Sequence, residues 1–206
     1  RKRVAPSSMA QLRPSPADPP RFAAIIVAAG TGTRAGQAIP KQYVRWRGKP
    51  VLRHSVEHLL EAGADRIVIA IAPDAKDLAR EATAGLENIL FVEGGDTRRA
   101  SVASGLEALA LDPPEAVLIH DAARPTLPQP VIDRVLAALA THPGAIPALE
   151  VVDTIARTKD GVMTGQEDRN TLARVQTPQG FVFDDILAAH RAWDNPSEPT
   201  DDAQVL

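Results

Sequence analysis

The stretch that decides the fold is an apolar run that leads directly into small residues and glycines: residues 22–34 read FAAIIVAAGTGTR. The apolar half of this stretch predicts a buried strand. Gly30 and Gly32 let the backbone N–H groups of a loop approach a polyphosphate without clashes from Cβ atoms. Arg34 and Lys41 add positive charge where phosphate oxygens would lie. This order of residues favours triphosphate chemistry at the end of a strand.

The glycine loop does not match the two best-known phosphate-binding patterns. A Walker A loop needs a Gly-Lys-Ser/Thr end, which this loop lacks. A dinucleotide-binding fingerprint is nearly satisfied by Gly30, Gly32 and Ala35, but the acid expected about 20 residues further on would be Glu57. Glu57 lies inside a predicted helix and not at a strand end, which disfavours a nicotinamide site. A tight strand-to-helix turn with two surface cations stays open as the simpler alternative.

The composition limits the classes of protein that fit. The 206 residues are 44% hydrophobic and 3% aromatic and carry a net charge of −3. These values fit one domain with an aliphatic core and give no basic field for nucleic acid. No stretch approaches the roughly 20 apolar residues needed to span a bilayer, so we expect no membrane partner. The absence of cysteine excludes disulfides, thiolate zinc sites and a cysteine nucleophile, and it fits a cytoplasmic location.

The chain divides into a lead-in and one domain. Residues 1–21 contain five prolines and several cations without hydrophobic periodicity, so we expect a disordered, Pro-rich lead-in. Over residues 22–206, strand patterns alternate with helix patterns, which predicts an α/β domain with a mostly parallel, doubly wound (Rossmann-like) sheet. The predicted strands cover residues 22–28, 66–72, 89–92, 116–120 and 145–149, and the predicted helices cover 51–62, 77–84, a segment after 94–96, about 131–139 and about 184–193.

Residues 151–176 interrupt this alternation. Alternating residues from Val151 to Arg157 precede a turn signal at Lys159-Asp160-Gly161. The pattern predicts a hairpin or extended β-arm. A two-stranded hairpin is marginally stable alone, so we expect the β-arm to pack on a partner subunit.

Four loops follow predicted strand ends, where open α/β sheets bind ligands. The first is the glycine loop after residue 28. The others are Gly94–Ser101, His120–Pro125, and Asp168–Asn170 with Thr177–Gln179 downstream. The glycines of the second loop would permit close approach of a base or ribose. Together the four loops supply glycines, cations and an acid after predicted strand ends.

Each polar residue in these loops also has a simpler structural explanation. Ser101 either caps the following helix or donates to a ligand. Asp121 either serves a metal ion or a ribose hydroxyl, or only pairs with Arg124. His54 and His58 share one helix face at i, i+4, but no acidic third ligand is evident, which disfavours a metal site there.

The motifs follow one another in a fixed order: Ala28-Ala29-Gly30-x-Gly32-x-Arg34 with Pro40-Lys41-Gln42, Gly94-Gly95-Asp96-x-Arg98-x-x-Ser101, His120-Asp121-Ala122-Ala123-Arg124-Pro125, Asp153-Thr154, Asp168-Arg169, Thr177-Pro178-Gln179 and Thr200-Asp201-Asp202-Ala203. Each motif is a weak signal alone, whereas the ordered set is highly specific. Over about residues 22–206 the set resembles the 2-C-methyl-D-erythritol 4-phosphate cytidylyltransferase family.

The resemblance implies a nucleotidyltransferase-type fold and a reaction of CTP with methylerythritol phosphate, which gives the CDP-alcohol and pyrophosphate in non-mevalonate isoprenoid synthesis. It also implies Mg²⁺, or another divalent cation, on the CTP phosphates with Asp121 close by, and a homodimer in which the β-arm reaches the other subunit's site. The residue roles that it implies are catalysis by Arg34 and Lys41, nucleotide binding by Ala28, Ala29, Gly30, Gly32, Gly95, Arg98, Ser101, Asp121 and Ala122, and substrate binding by Arg124, Thr154, Arg169 and Thr177.

The chain departs from the family pattern at its end. Thr200-Asp201-Asp202 signals a helix start, yet the sequence stops at Leu206. The resemblance implies further secondary structure and a lysine near the phosphates, so we expect a truncated chain or one part of a fusion with a downstream cyclodiphosphate synthase. Two alternative functions stay open. One is another polyol- or sugar-phosphate nucleotidyltransferase, and the other is a nucleotide-binding module without turnover.

Overall fold

The computed structural model describes residues 19–30 and 39–206. Most of the predicted lead-in, at residues 1–18, therefore lies outside the described residues. So do Gly32 and Arg34, within residues 31–38. Among the described residues, no helix has both the length and the apolar character needed to cross a membrane.

Strands and helices alternate over most of the described chain. The helices are α1 (Val51–Glu61), α2 (Lys76–Ala82), α3 (Arg98–Leu109), α4 (Gln129–Ala138) and α5 (Phe183–Ala192), with single 3₁₀ turns at Lys41–Tyr43, Arg169–Thr171 and Asp202–Gln204. The strands are β1 (Phe22–Ala28), β2 (Arg45–Trp46), β3 (Lys49–Pro50), β4 (Ile67–Ile71), β5 (Ile89–Glu93), β6 (Ala116–Asp121), β7 (Gly144–Ala145), β8 (Ala148–Glu150), β9 (Ala156–Lys159), β10 (Val162–Gln166), β11 (Ala173–Val175) and β12 (Gln179–Val182).

Six strands of the described chain form the central sheet, in the order β5-β4-β1-β6-β12-β7. The first four strands run parallel, whereas β12 is antiparallel to β6 and β7 is antiparallel to β12. The prediction of a mostly parallel α/β sheet is confirmed. Because β1, β4, β5 and β6 run the same way, the loops that follow them lie at one edge, here called the carboxyl edge.

Both faces of the sheet are covered, as the prediction of a doubly wound fold requires. Ile26 of β1 belongs to the apolar cluster that includes side chains of α1, α2 and α4. Its neighbour Ile25 belongs to the cluster on the other face, which includes side chains of α3 and α5. Both isoleucines are fully buried, and burial of such a side chain contributes about 1.5–3 kcal/mol. A strand buried on both faces needs a continuous apolar run, and residues 22–28 provide it.

The structure corrects the prediction of one strand at 145–149. This segment forms two strands, since β7 joins the central sheet while β8 pairs with β11. Pro147 lies between them and has no N–H to donate to a continuous ladder.

Strand β12 was not predicted from the sequence. Gly180 lies in the middle of this strand, where a Cβ atom would lie 2.4 Å from Val135 Cγ1 of α4. The glycine lets α4 pack closely on the sheet.

The β-arm is confirmed within residues 151–176. Strands β9 and β10 form an antiparallel hairpin, and β8 and β11 form a second ladder at its base. At the hairpin turn, Asp160 and Gly161 both have positive φ, 51° and 79°, as a tight two-residue turn requires. The first hairpin strand begins at Ala156, which is later than the alternation from Val151 predicted.

Candidate active site

The structure brings the predicted nucleotide-binding loops together at the carboxyl edge. Ala28 ends β1, and Asp121 ends the neighbouring strand β6, where it is in register with Val27. Ala122 continues this contact, because its N–H donates to the carbonyl oxygen of Val27 at 3.1 Å. The Gly94–Ser101 loop follows β5 at the same edge and contacts the ends of the other strands.

Gly94 is the position where the loops meet. Its N–H donates to the carbonyl oxygen of Ile71, at the end of β4, over 2.8 Å. A Cβ atom at this position would lie 2.4 Å from Ala29 Cβ and 2.9 Å from Ser101 Oγ. Gly95 is equally crowded, since a Cβ there would lie 2.5 Å from Ala100 Cβ. The sequence pattern suggested that these glycines serve ligand approach, but the close neighbours that exclude a side chain are protein atoms.

Gln42 holds the base of the glycine loop. Its buried side-chain amide donates to the carbonyl oxygens of Ala28 at 2.7 Å and Gly30 at 3.0 Å. Lys41 is the adjacent residue in the same 3₁₀ turn, and its side chain is exposed. Lys41 is therefore the exposed neighbour in sequence of the residue that binds the start of the loop after β1. Gln42 is part of a predicted motif, but the sequence alone gave it no role.

Helix α3, which begins in the second half of the Gly94–Ser101 loop, is capped by Thr97 and not by Ser101. Thr97 Oγ1 accepts from the Ala100 N–H at 3.1 Å. Ser101 lies in the first turn of α3, where its hydroxyl donates to the carbonyl oxygen of Thr97 at 2.9 Å. The capping alternative for Ser101 is therefore wrong. The buried hydroxyl of Ser101 stiffens the loop, and its role in nucleotide binding stays a prediction.

A chain of alternating charges crosses the site. Asp121 Oδ1 lies 3.3 Å from Arg98 Nε, and Asp121 Oδ2 lies 3.2 Å from Arg124 Nε. Arg98 Nη1 also lies 2.6 Å from Asp202 Oδ2, and Arg124 Nη1 donates to Gln176 Oε1. The pairing of Asp121 with Arg124, which the sequence left open, is present. Each oxygen of Asp121 faces a different arginine.

Burial and charge act against each other in this chain of charges. Burial by itself would lower the pKa of Arg98, but the carboxylates of Asp202 and Asp121 outweigh it and raise that pKa. Burial also raises the pKa of Asp202, and the nearby Arg98 guanidinium opposes this shift. An arginine stays charged in proteins, so the 2.6 Å contact favours the carboxylate form of Asp202. Asp202 is a site residue that was not predicted from the sequence.

His120 connects two of the predicted motifs. The ring is fully buried, and burial lowers its pKa to about 4, so it is neutral at neutral pH. Nε2 lies 3.0 Å from the carbonyl oxygen of Arg124, which can only accept, so Nε2 carries the proton. Nδ1 therefore accepts from Thr177 Oγ1 at 3.0 Å, and Thr177 Oγ1 accepts from the Asp121 N–H at 3.3 Å. This network fixes the turn after β6 against the start of β12.

The predicted substrate-binding residues fall into two groups. Arg124 and Thr177 lie at the carboxyl edge, in the network described above. Thr154 and Arg169 lie on the β-arm and are exposed. Arg169 Nη1 donates to the carbonyl oxygen of Val152 at 2.7 Å and lines a groove of about 360 Å³. Within one chain, this hydrogen bond keeps the Arg169 side chain on the β-arm.

The ring nitrogens of His54 and His58, both on α1, lie within hydrogen-bond distance of backbone carbonyl oxygens. His54 Nε2 lies 2.8 Å from the carbonyl oxygen of Trp46, and His58 Nδ1 lies 2.6 Å from that of His54. Across residues 19–30 and 39–206, no group of three or more His, Cys, Asp and Glu is arranged to hold a metal ion.

Two buried histidines predict that stability depends on pH. Burial lowers the pKa of His120 and of His190 to about 4 each, whereas unfolded histidine titrates near about 6.5. Between these values the unfolded chain binds protons that the folded chain does not. The free energy of unfolding should therefore fall as pH is lowered from about 6.5 to about 4, by about 1.4 kcal/mol per pH unit for each histidine. Urea unfolding across this range measures the slope.

Variants separate the contributions to that slope. His190→Asn and His120→Asn should each reduce the slope of unfolding free energy against pH by the contribution of one histidine. His142→Asn is the control, because His142 is exposed, and it should keep the wild-type slope. A wild-type slope in both buried-histidine variants would contradict the prediction.

A mostly parallel sheet whose carboxyl edge brings together a glycine loop, the guanidinium groups of Arg98 and Arg124 and the carboxylate of Asp121 is typical of an α/β nucleotide-binding domain of the nucleotidyltransferase type. The chain belongs to the 2-C-methyl-D-erythritol 4-phosphate cytidylyltransferase (IspD) family, whose sequence profile matches residues 22–206. The site described above lies within the matched residues.

Similarity to individual proteins supports the assignment of the chain to this family. The bifunctional enzyme IspD/IspF of Erythrobacter litoralis is 58% identical, over 93% of this chain and 50% of that protein. The 2-C-methyl-D-erythritol 4-phosphate cytidylyltransferase of Cereibacter sphaeroides (strain ATCC 17023) is 48% identical, over 89% of this chain and 81% of that protein. The crystal structure of the enzyme of that name from Thermus thermophilus covers 88% of this chain and 81% of its own, with a TM-score of 0.73 and 32% identity. The chain spans about half the length of the bifunctional relatives that it matches.

Proposed function

We propose that this domain transfers the cytidylyl group of CTP to 2-C-methyl-D-erythritol 4-phosphate and releases pyrophosphate. The observation that carries the proposal is the meeting of the loops after β1, β5 and β6 around Gly94 and Asp121. These loops carry the motifs by which the sequence resembles the family, and the family match covers all of them. The product would be 4-diphosphocytidyl-2-C-methyl-D-erythritol, an intermediate of non-mevalonate isoprenoid synthesis.

The reaction needs no covalent enzyme intermediate. An oxygen of the substrate phosphate attacks the α-phosphorus in line, a new O–P bond forms, and the bond to the leaving pyrophosphate breaks. Catalysis is then positioning and charge stabilisation. Lys41 would supply a cation for this role, and its neighbour Gln42 ties the same turn to the carbonyl oxygens of Ala28 and Gly30. Arg34 would add a second cation from residues outside the described part of the chain.

The nucleotide would lie on the loops at the carboxyl edge. Gly30 and its neighbours would offer backbone N–H groups to the triphosphate. Gly95, Arg98 and Ser101 would read the base and ribose. The N–H of Ala122 donates to the carbonyl oxygen of Val27, so Ala122 would bind a ligand through its own carbonyl oxygen.

Asp121 fits a divalent cation bound together with the triphosphate. Mg²⁺ prefers oxygen ligands and commonly uses one or two carboxylates together with substrate phosphates. Asp121 ends β6 at the carboxyl edge, and its side chain is 32% exposed. When bound, the cation would neutralise part of the phosphate charge. Asp121 would hold it, and the neighbouring arginines would keep that carboxylate oriented.

The proposed dimer rests on the β-arm. Strands β9 and β10 are almost wholly exposed, and a two-stranded hairpin is marginally stable alone. The arm and its base also expose large apolar side chains, namely Leu149, Val152, Ile155, Val162, Met163, Leu172 and Val175. We therefore propose that a second copy of the chain covers the β-arm, and that Thr154 and Arg169 reach the partner's substrate there.

Two further proposals concern the context of the domain. The relatives named bifunctional enzyme IspD/IspF favour a longer natural protein with a cyclodiphosphate synthase after this domain. Sequencing the gene beyond codon 206 tests this. The absence of cysteine favours a cytoplasmic location, and fractionation of the source cells tests it.

The proposed function predicts a strong preference for CTP. A site whose polar groups match one base loses about 1–3 kcal/mol for each group that the wrong base leaves unsatisfied. We expect kcat/KM for CTP to exceed that for ATP, GTP and UTP by about tenfold or more. Pyrophosphate release with each nucleotide and a panel of polyol and sugar phosphates measures both preferences.

The same panel separates the competing functions. Turnover with another acceptor in preference to methylerythritol phosphate would assign a different nucleotidyltransferase. Nucleotide binding without pyrophosphate release would indicate a module without turnover. Comparable kcat/KM for CTP and ATP would contradict the proposed base recognition.

A further inference from the structure

We propose that Asp202 is a positioning residue that fixes Arg98 for nucleotide binding. This inference rests on the proposed function, because it concerns the loop that would read the base and ribose of CTP. The relevant arrangement is a buried carboxylate near the end of the described chain, in contact with an arginine 104 positions earlier. Three features carry the inference: the anchoring of Asp202, its contact with Arg98, and the second contact of Arg98.

Asp202 is held in place from several sides. It begins the 3₁₀ turn that Asp201 caps, where Asp201 Oδ1 accepts from the Gln204 N–H at 3.2 Å. The N–H of Asp202 donates to the buried side chain of Gln179, on β12, at 3.0 Å. Val205 packs into the apolar cluster between the sheet and helices α3 and α5. The carboxylate therefore sits on a turn that is tied both to the sheet and to the core.

Arg98 is the strongest partner of that carboxylate. Arg98 Nη1 lies 2.6 Å from Asp202 Oδ2, and the side chain of Asp202 is only 1% exposed. The other oxygen, Oδ1, lies 3.9 Å from Nε2 of the buried His190. A buried carboxylate needs a charged partner or donors to offset its desolvation, and Arg98 supplies both.

The guanidinium of Arg98 spans two carboxylates. Nη1 contacts Asp202, while Nε lies 3.3 Å from Asp121 Oδ1 at the carboxyl edge. Asp121 is the group that we propose for the divalent cation that accompanies the triphosphate. When Asp121 binds that cation, Asp202 still contacts the Nη1 end of Arg98. Asp202 thus keeps a flexible side chain in one orientation before and after the nucleotide binds, which lowers the ordering cost of binding.

The test compares Asp202→Asn with a matched control. Asparagine keeps the size of the side chain and the backbone donor to Gln179 but removes the charge. Loss of a charge-assisted contact of this kind predicts a CTP Kd raised by about ten- to a hundredfold, with a smaller change in kcat. Glu198→Gln is the control, because Glu198 pairs with the adjacent Arg99 at 3.5 Å and is 46% exposed. It should leave the CTP Kd unchanged.

A double-variant cycle tests whether Asp202 acts through Arg98. When Asp202→Asn is added to Arg98→Gln, the CTP Kd should not change further. The added change should also raise the thermal midpoint above that of Arg98→Gln alone, because a buried carboxylate without its cation is removed. Additive effects on Kd, or a wild-type Kd in Asp202→Asn together with a lowered midpoint, would overturn the positioning role.

The two readouts also separate this inference from the proposed function. If the wild type binds neither CTP nor ATP, GTP and UTP, the proposed function fails. The thermal midpoints of the two single variants and the double variant then still show whether Asp202 and Arg98 act as a pair. If the two shifts in thermal midpoint simply add, the pairing that the inference requires is absent.

Discussion

Replacement of Lys41 by alanine should lower kcat by about 10²–10³-fold and change the Kd for CTP much less. Negative charge grows on the leaving pyrophosphate as the transition state forms, and an interaction that strengthens there appears in kcat. Lys41 is exposed and adjoins Gln42, whose amide binds the carbonyl oxygens of Ala28 and Gly30. The turn that carries Lys41 is therefore tied to the start of the phosphate loop before the substrate arrives. Single-turnover kinetics and CTP titration together measure the two quantities.

Lys49→Ala is the matched control for this experiment. Lys49 is also an exposed lysine, on the short hairpin after Lys41, but it pairs with Glu57 at 2.7 Å. The Lys49→Ala change should leave kcat near the wild-type value. It should also lower the free energy of unfolding only slightly, because exposed ion pairs contribute about 0–1 kcal/mol. A kcat for Lys41→Ala near that of the wild type would exclude Lys41 from catalysis. An equal fall in Lys49→Ala would indicate a general effect of positive charge.

The strands of the sheet could be predicted because burial on both faces leaves a clear pattern. Strands β1 and β4 are continuous apolar runs, and β6 is apolar up to Ile119; such runs are typical of parallel strands between two layers of helices. Parallel strands then place the following loops at one edge, so the nucleotide-binding loops could be predicted together. The antiparallel strand β12 escaped prediction because Gly180, needed for close packing of α4, reads as a breaker in the sequence.

The connections within the site could not be predicted in the same way. Asp202 belongs to the helix-start signal Thr200-Asp201-Asp202, a context in which an acidic residue is usually solvated. Only the fold brings it to Arg98, because the contact spans the chain from α3 to the last 3₁₀ turn. His120 likewise needs Thr177 and the carbonyl oxygen of Arg124, which lie on different elements. Spacing along the sequence carries no signal for such contacts.

Local sequence also left alternatives that only geometry decides. Thr97 and Ser101 both have hydroxyls near the start of α3, and the structure selects Thr97 as the cap. The roles of Gly32 and Arg34 stay predictions, since both lie outside the described residues.

The proposed dimer leads to the second large effect. Arg169→Ala and Arg124→Ala should each lower kcat/KM for methylerythritol phosphate by about 30-fold or more, because each removes a cation from a phosphate-binding group. Arg169→Ala should leave the Kd for CTP almost unchanged. Arg124 lies at the carboxyl edge, beside Asp121, whereas Arg169 lies on the β-arm. If the β-arm serves the partner's site, each site takes these two residues from different chains.

Mixing the two variants tests this sharing directly. In a symmetric dimer, a mixed pair has one site with both arginines and one site with neither. Random exchange makes about half of the dimers mixed, so activity should recover to about a quarter of the wild-type value. Mixing Arg169→Ala with Thr154→Ala is the control, because both changes lie on the β-arm and no site regains both residues. Native mass spectrometry verifies subunit exchange. If exchange is complete and the first mixture stays as inactive as the control, Arg169 acts within its own chain, and the β-arm does not complete a partner's site.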